Sequence, residues 1–462
     1  MRPPQFASLL KRIAGSRNGG IANMQDSRQN QQSDFMIEKI KERPINKKKL
    51  LRRTVTTASM AVIFGLIACL TFLILEPVFS NWLYPEEKPQ TVVFPEESEE
   101  MDPEDMLVEE EPPAPQEALE SVILDEEQIQ KILDSIRLDE KHYIQLYSAM
   151  SAYTAELSHS MVTVTGVTSD VDWLNDTYES KVQTYGVVVE SNGREYLILT
   201  DRNTIKQAES IIVTFFDGTR AEAVMKQEDK QTGLAIISVE LSDIPEETKE
   251  LVQKATLGSS NLRNLIGTPV VALGAPMGMV GSAGYGVIVA SGSIMSRVDA
   301  NYKLLTTDIY GSPDSEGVLF NMQGQIVGII TRDRVDSNMK NAVTAIGISE
   351  LRKLIENMSN GKEPVYMGIS GMDVTSEANQ EMGVPYGAYV REVEMNSPAM
   401  LAGIQRGDVI VEIGDSSIEN FNNYTATLLR LEAGQTVKVT VQRLSQNSYR
   451  EMEMEITLGT ED

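Results

Sequence analysis

One run of 21 residues, Val55–Leu75 (VTTASMAVIFGLIACLTFLIL), carries no charge and divides the chain into two parts that must fold in different surroundings. At ~1.5 Å rise per residue a helix of this length spans roughly 30 Å, the thickness of a bilayer's hydrocarbon core. The run predicts a transmembrane helix over 55–75. Residues 1–53 carry thirteen Lys/Arg against four Asp/Glu, and Lys47, Lys48, Lys49, Arg52 and Arg53 lie directly before the run. By the positive-inside rule the basic tail stays in the cytoplasm and everything after Leu75 lies outside. The length of the apolar run and of the extension before it argue for an uncleaved anchor over a signal peptide. The single cysteine, Cys69, falls inside the run, so the outer part must rest on hydrophobic cores without disulfides.

Trp82 and Tyr84 follow at the spacing of an interfacial aromatic belt. Residues 76–124 read as an extended acidic spacer, because like charges repel and proline blocks helix and sheet. Residues 86–127 alone hold seventeen Asp/Glu against Lys88. With a formal net charge of -26, no surface outside the tail can track a phosphate backbone, so nucleic acid is excluded as a partner. Asp125 and Gln128 then form a capping-box pattern, and Ile129, Ile132, Leu133, Ile136, Tyr143, Tyr147 and Met150 recur with helical period. An amphipathic helix is expected over 125–158, its apolar face covered by the next domain or by another subunit.

From Met161 to about Ile348 the pattern changes to short β runs such as TYGVVVE, EYLILT, LAIISV, TPVVALG and QIVGIIT. Asn192-Gly193 and Asp217-Gly218 supply the positive φ angles of hairpin turns. Two groups of about six strands predict two small antiparallel barrels over 159–359, closed by a helix at Glu350–Met358. The polar turn Asn360-Gly361-Lys362 separates these from a last unit, 362–460, with strands around helices at Ser397–Ala402 and Asn422–Arg430. The class is mostly β, two barrels followed by one small domain.

Two stretches carry a family resemblance. TTDIYGSPDSEGVLFNMQGQIVGI at 306–329 resembles the nucleophile segment of HtrA (DegP/DegS-like) serine proteases, and GAYVREVEMNSPAMLAGIQRGDVIVEIGD at 387–415 resembles a PDZ signature. With GAPMGM at 274–279 and DGTRAEA at 217–223, the likeness covers roughly residues 160–460. It implies a trypsin-like double barrel joined to a PDZ domain, with no cofactor and no metal. It also implies an active site, which this chain departs from. Ser315 falls at the nucleophile position. LTDRNTI stands where the family has TNxHV, which puts Asn203 in place of the histidine base, and asparagine cannot accept and return a proton near neutral pH. EDKQTGLAII leaves Gly233, or Thr232 with a one-residue slip, at the acid position, while Asp229 matches an earlier acid that is not catalytic. Pro313 replaces the glycine whose N–H serves the oxyanion hole, and proline has no N–H to give. Glu316, where the family has glycine, adds a negative charge. His142 and His159, the only histidines, match no catalytic position, and Lys206 and Lys230 are the nearest alternative bases.

In the last domain Tyr366-Met367-Gly368-Ile369 is similar to the carboxylate-binding loop of HtrA-type PDZ domains, which take up C-terminal peptides by strand addition. Arg391 and the 422–430 helix are further groove candidates. The resemblance thus implies a membrane-anchored protease homologue without cleavage, binding peptides or misfolded envelope proteins, as a homotrimer or beside an active paralogue. The competing expectation is a serine endopeptidase using Ser315 with an unconventional base.

Overall fold

Short aliphatic runs alternating with glycine-bearing turns build most of the structure. The computed structural model describes residues 52, 55–71, 89–95, 140–171, 177–332, 341–446 and 448–461. Two compact units divide at Glu87/Lys88. In the first, residues 55–71 form a helix with exposed side chains. The last four residues of the expected span and nearly all of the basic tail lie outside the described residues. Among the described residues no helix is long and apolar enough to cross a membrane.

The second unit begins with a barrel of β1 (Met161–Val171), β2 (Thr177–Ser191), β3 (Glu195–Asp201), β4 (Ser210–Thr214), β5 (Arg220–Asp229) and β6 (Leu234–Glu240). It is closed in the order β1-β2-β3-β6-β5-β4. At the β2–β3 turn the Asn192 side chain accepts from the N–H groups of Arg194 and Glu195, and Gly193 takes φ +85°. Val164, Val188, Ile198 and Ile237 fill this barrel and are fully buried. Truncating one of them to alanine costs on the order of 2–5 kcal/mol.

The second sheet contains β7 (Thr256–Leu257), β8 (Pro269–Ala275), β9 (Ser282–Arg297), β10 (Ala300–Tyr310), β11 (Glu316–Asn321), β12 (Gln325–Ile330) and β13 (Ala342–Gly347). Its order is β11-β8-β9-β10-β13-β12-β7, and β11–β12 pairing closes it. Three helices accompany the barrels before this sheet ends: α1 (Glu140–Leu157), α2 (Arg202–Ile205) and α3 (Glu246–Leu251). The closing helix α4 (Ile348–Ser359) buries Leu351, Leu354, Ile355 and Met358 and is longer at both ends than expected.

The last domain consists of β14 (Ile369–Asp373), α5 (Ser376–Met382), β15 (Ala388–Val393), α6 (Pro398–Ala402), β16 (Val409–Ile413), β17 (Ser416–Ser417), α7 (Phe421–Leu428), β18 (Thr436–Ser445) and β19 (Ser448–Thr457). Its path is β14-β15-β16-β18-β19, leaving β14 at an edge beside α7. Ser397 caps α6 ahead of Pro398, and Asn420 caps α7.

One expectation needs correction, and one is narrowed. Part of the acidic spacer is docked: Val92 and Phe94 are buried, Asn360 exchanges two hydrogen bonds with the Val92 backbone, and Arg352 donates to the Pro95 carbonyl. Val92 and Phe94 alternate with exposed Thr91 and Val93, so one side of the stretch joins the core of the barrels. In α1, Tyr143 and Tyr147 of the expected apolar face are exposed, so the next domain does not cover them within the described residues. Only the end of α1 docks, through buried Leu157 and through Tyr153, whose hydroxyl donates to the Asn321 carbonyl at 2.6 Å. Residues 125–139 of that expected helix lie outside the described residues.

Candidate functional site

At the end of β3, the Asp201 side chain caps α2 by accepting from the Thr204 N–H. This turn sets Asn203 on the wall of a polar cleft of about 290 Å³, shared with Tyr185, Gly233, Glu316 and Arg332. The structure brings Asn203 and Gly233 together: a Cβ built on Gly233 would lie 3.6 Å from Asn203 Nδ2. The Arg202 N–H donates to the Gly233 carbonyl at 2.8 Å and holds the two loops in register. Asn203 Oδ1 accepts from Lys206 Nζ at 3.1 Å. Lys230 also lines the cleft, and its Nζ donates to the Glu461 carbonyl. Asp229 is buried and accepts from the Thr232 N–H and hydroxyl at 2.7 and 2.6 Å. Burial pushes its carboxyl above the usual range, against the pull of those two bonds. Neither histidine lines the cleft; His159 stacks on Phe216 at 4.5 Å between ring centroids.

Ser315 does not line the cleft either. It is 1% exposed, and its hydroxyl is shared between the carbonyls of Pro276 at 2.6 Å and Ser312 at 2.7 Å. Residues 312–315 close as a β-turn in which the Ser315 N–H donates to the Ser312 carbonyl at 3.1 Å. Pro313 occupies the second turn position, which its fixed φ favours. The Asp314 N–H donates to Ser312 Oγ. No N–H of residues 313–315 is therefore left for an oxyanion. The next residue, Glu316, is buried and sends its carboxylate into the cleft, where it pairs with Arg332 and accepts from the Thr184 hydroxyl. The extra charge expected at this position is thus neutralised inside the chain.

The loop before β14 is built around Gly368, at φ +89°, where a Cβ would fall 2.2 Å from the Ser397 Cβ. Its successive N–H groups converge on one carboxylate from the β9–β10 turn. Asp299 Oδ2 accepts from Met367 at 2.7 Å and Gly368 at 2.8 Å, and Oδ1 accepts from Ile369 at 2.9 Å. The Tyr424 hydroxyl of α7 also donates to Oδ1, at 2.6 Å. Burial raises the Asp299 carboxyl above its ordinary range, with these donors acting in the opposite sense. Tyr366 pairs instead with Gly459 through two backbone bonds of 2.9 Å. Arg391 lines a separate hollow with Met400, Ile404 and Arg406. Sequence reasoning missed Asp299 and the Glu316–Arg332 pair; aspartate in a tight turn was the one local sign of the former. Among the described residues no cluster of His, Cys, Asp or Glu is suited to a metal ion.

Two barrels with a cleft, followed by a sheet with an amide-lined loop, have the layout of a trypsin-like fold joined to a PDZ domain. A model described as a trypsin-like peptidase domain matches residues 184–329, and one described as a PDZ domain matches 365–456. The chain is similar to the putative serine protease HhoB of Synechocystis, at 27% identity over 274 residues, 56% of this chain and 62% of that one. It is also similar to a probable periplasmic serine endoprotease, DegP-like, of Pseudomonas putida, at 27% identity over 294 residues, 60% of this chain and 58% of that one. The chain thus spans about three fifths of the length of these curated relatives. Among solved structures, the HtrA-type protease AlgW with decapeptide aligns at 20% identity and a TM-score of 0.49, over 67% of this chain and 99% of that one.

Proposed function

We propose that this protein is a membrane-anchored HtrA-like serine protease homologue that no longer cleaves, and that it binds peptides or misfolded envelope proteins through its PDZ domain. Ser315, Asn203, Gly233 and Pro313 stand at the positions of nucleophile, base, acid and oxyanion donor. The observation that carries the reading is the Ser315 turn, whose hydroxyl and N–H are both spent on neighbouring carbonyls. Acyl transfer needs a free nucleophile and donors aimed at the developing oxyanion. The anchor rests on the uncharged 55–75 run behind a basic flank, which sets the tail in the cytoplasm and both domains outside. Peptide binding rests on the loop Tyr366–Ile369, whose amides suit a carboxylate.

The test is hydrolysis of unfolded casein by the full chain beside Ser315→Ala, with a serine-directed phosphonate as a covalent probe. Equal, background-level turnover and no labelling are expected. Turnover abolished by Ser315→Ala would instead establish a serine endopeptidase with an unconventional base.

A further inference from the structure

We infer that Asp299 is a built-in ligand of the PDZ loop, a side-chain carboxylate seated where the C-terminal carboxylate of a peptide would bind, so that the chain closes its own groove. The inference rests on the peptide-binding reading of residues 366–369 given above and states how that site is regulated.

Three features go beyond a chance contact. The first is the donor set. The N–H groups of Met367, Gly368 and Ile369 all point at one carboxylate, which leaves none of the three for a second anion. A backbone N–H makes one good hydrogen bond, so an incoming carboxylate has to replace Asp299 and cannot join it. The second is the strand-like pairing. The Asp299 N–H donates to the Ile369 carbonyl at 2.7 Å, and Asn301 Nδ2 donates to the Gly371 carbonyl at 3.0 Å. These are carbonyls on the free edge of β14, where an added strand would pair. From the opposite wall, Thr425 Oγ1 of α7 donates to the Asp299 carbonyl at 2.9 Å, so both sides of the groove grip the turn. The third is presentation. Asp299 holds φ +60° in the two-residue turn between Arg297 and Ala300, a conformation aspartate adopts readily, so the hairpin tip offers its carboxylate to the loop.

An internal ligand lowers the apparent affinity for any external one by the fraction of time the site is open. Asp299→Ala should therefore open the site, and Asp299→Asn, which keeps the shape without the charge, should open it partly. The experiment uses the full chain in lipid nanodiscs and a fluorescent decapeptide with an apolar C-terminal residue, as the free acid and as the amide. Hydrogen exchange of the 366–369 amides is followed in parallel.

Asp299→Ala is expected to bind the acid at least about tenfold more tightly than wild type, to leave the amide unimproved, and to speed exchange at 367–369. Equal affinity of wild type and variant for the acid would overturn the inference. If neither protein binds the peptide, the peptide-binding reading fails on its own. Faster exchange in the variant would then still support Asp299 as the occupant of the loop, and unchanged exchange would overturn it. If Asp299→Ala fails to fold, Asp299→Asn is read by the same two measurements.

Discussion

On the proposed reading, placing a histidine and an aspartate at positions 203 and 233 should not by itself give cleavage, because the Ser315 turn offers no oxyanion donor. In the double variant Asn203→His/Gly233→Asp, the Cβ added at position 233 would sit 3.6 Å from the present Asn203 Nδ2, with no other atom within 4 Å. The introduced carboxylate can therefore reach an imidazole at position 203. The change costs backbone strain, because Gly233 holds φ +73°. A non-glycine residue there loses about 1–2 kcal/mol, a fall of several degrees in Tm. The oxyanion side stays empty: Pro313 has no N–H, and that of Ser315 is held by the Ser312 carbonyl. Each missing donor is worth roughly a hundredfold to a thousandfold in rate. Residues that act as a unit do not add fully, so about 10⁴-fold is the expected shortfall of the double variant against a competent protease. Adding Pro313→Gly returns one donor and loosens the turn, and should raise turnover by about a hundredfold. The assay is fluorogenic casein hydrolysis with phosphonate labelling of Ser315. Cleavage by the double variant within about a hundredfold of an active HtrA-type protease would refute the reasoning, since the turn could then not be what prevents the reaction.

Two further outcomes follow from burial. Burying Val92 and Phe94 contributes roughly 1.5–3 kcal/mol each, and ordering the segment's backbone opposes this at ~1–2 kcal/mol per residue, so the docking has little to spare. Phe94→Ala should release the segment at a cost of about 1–2 kcal/mol in denaturant unfolding, below the roughly 3–5 of a fixed core phenylalanine, and a loss above about 4 would show the segment to be integral. Asp229 titrates higher in the folded than in the unfolded chain, so its contribution is fully present below about pH 4 and is lost as pH rises through the folded value. Asp229→Asn should therefore flatten the decline of Tm from mildly acidic to neutral pH, and a steeper decline in the variant would contradict the assignment.

Much of the fold was legible because its signals are local. LAIISV is a continuous aliphatic run and became β6, buried along nearly its whole length. Asn192-Gly193 and Asp217-Gly218 marked hairpins because few residues other than glycine take positive φ without strain. Periodicity showed which face of α1 is apolar but not what covers it, and Tyr143 and Tyr147 proved exposed. The docked strap was hidden by its setting, a few apolar residues inside a strongly acidic stretch. The proposed replacement of the triad residues rests on a motif alone, position by position. The surroundings of Ser315 could not be read that way, since its hydroxyl bonds to the Pro276 carbonyl 39 residues away.

The same limit applies to the two internal carboxylates: a charge count misjudged one and passed over the other. Glu316 looked like an added repulsion, yet Arg332, sixteen positions on and itself exposed, turns it into a salt bridge. Asp299 was not singled out at all, because its partners lie 68 to 70 positions away in the loop and 125 away in α7. Taking such groups out of water costs several kcal/mol unless the fold supplies partners. A buried carboxylate whose oxygens are satisfied therefore implies surroundings shaped around it. In the cleft those partners are Thr184 of β2 and Arg332, just past the end of β12; in the PDZ loop they are amides that a C-terminal peptide would also need. Removing the Asp299 carboxylate thus leaves a site already shaped for an anion, and removing that of Glu316 leaves Arg332 without its partner in the cleft.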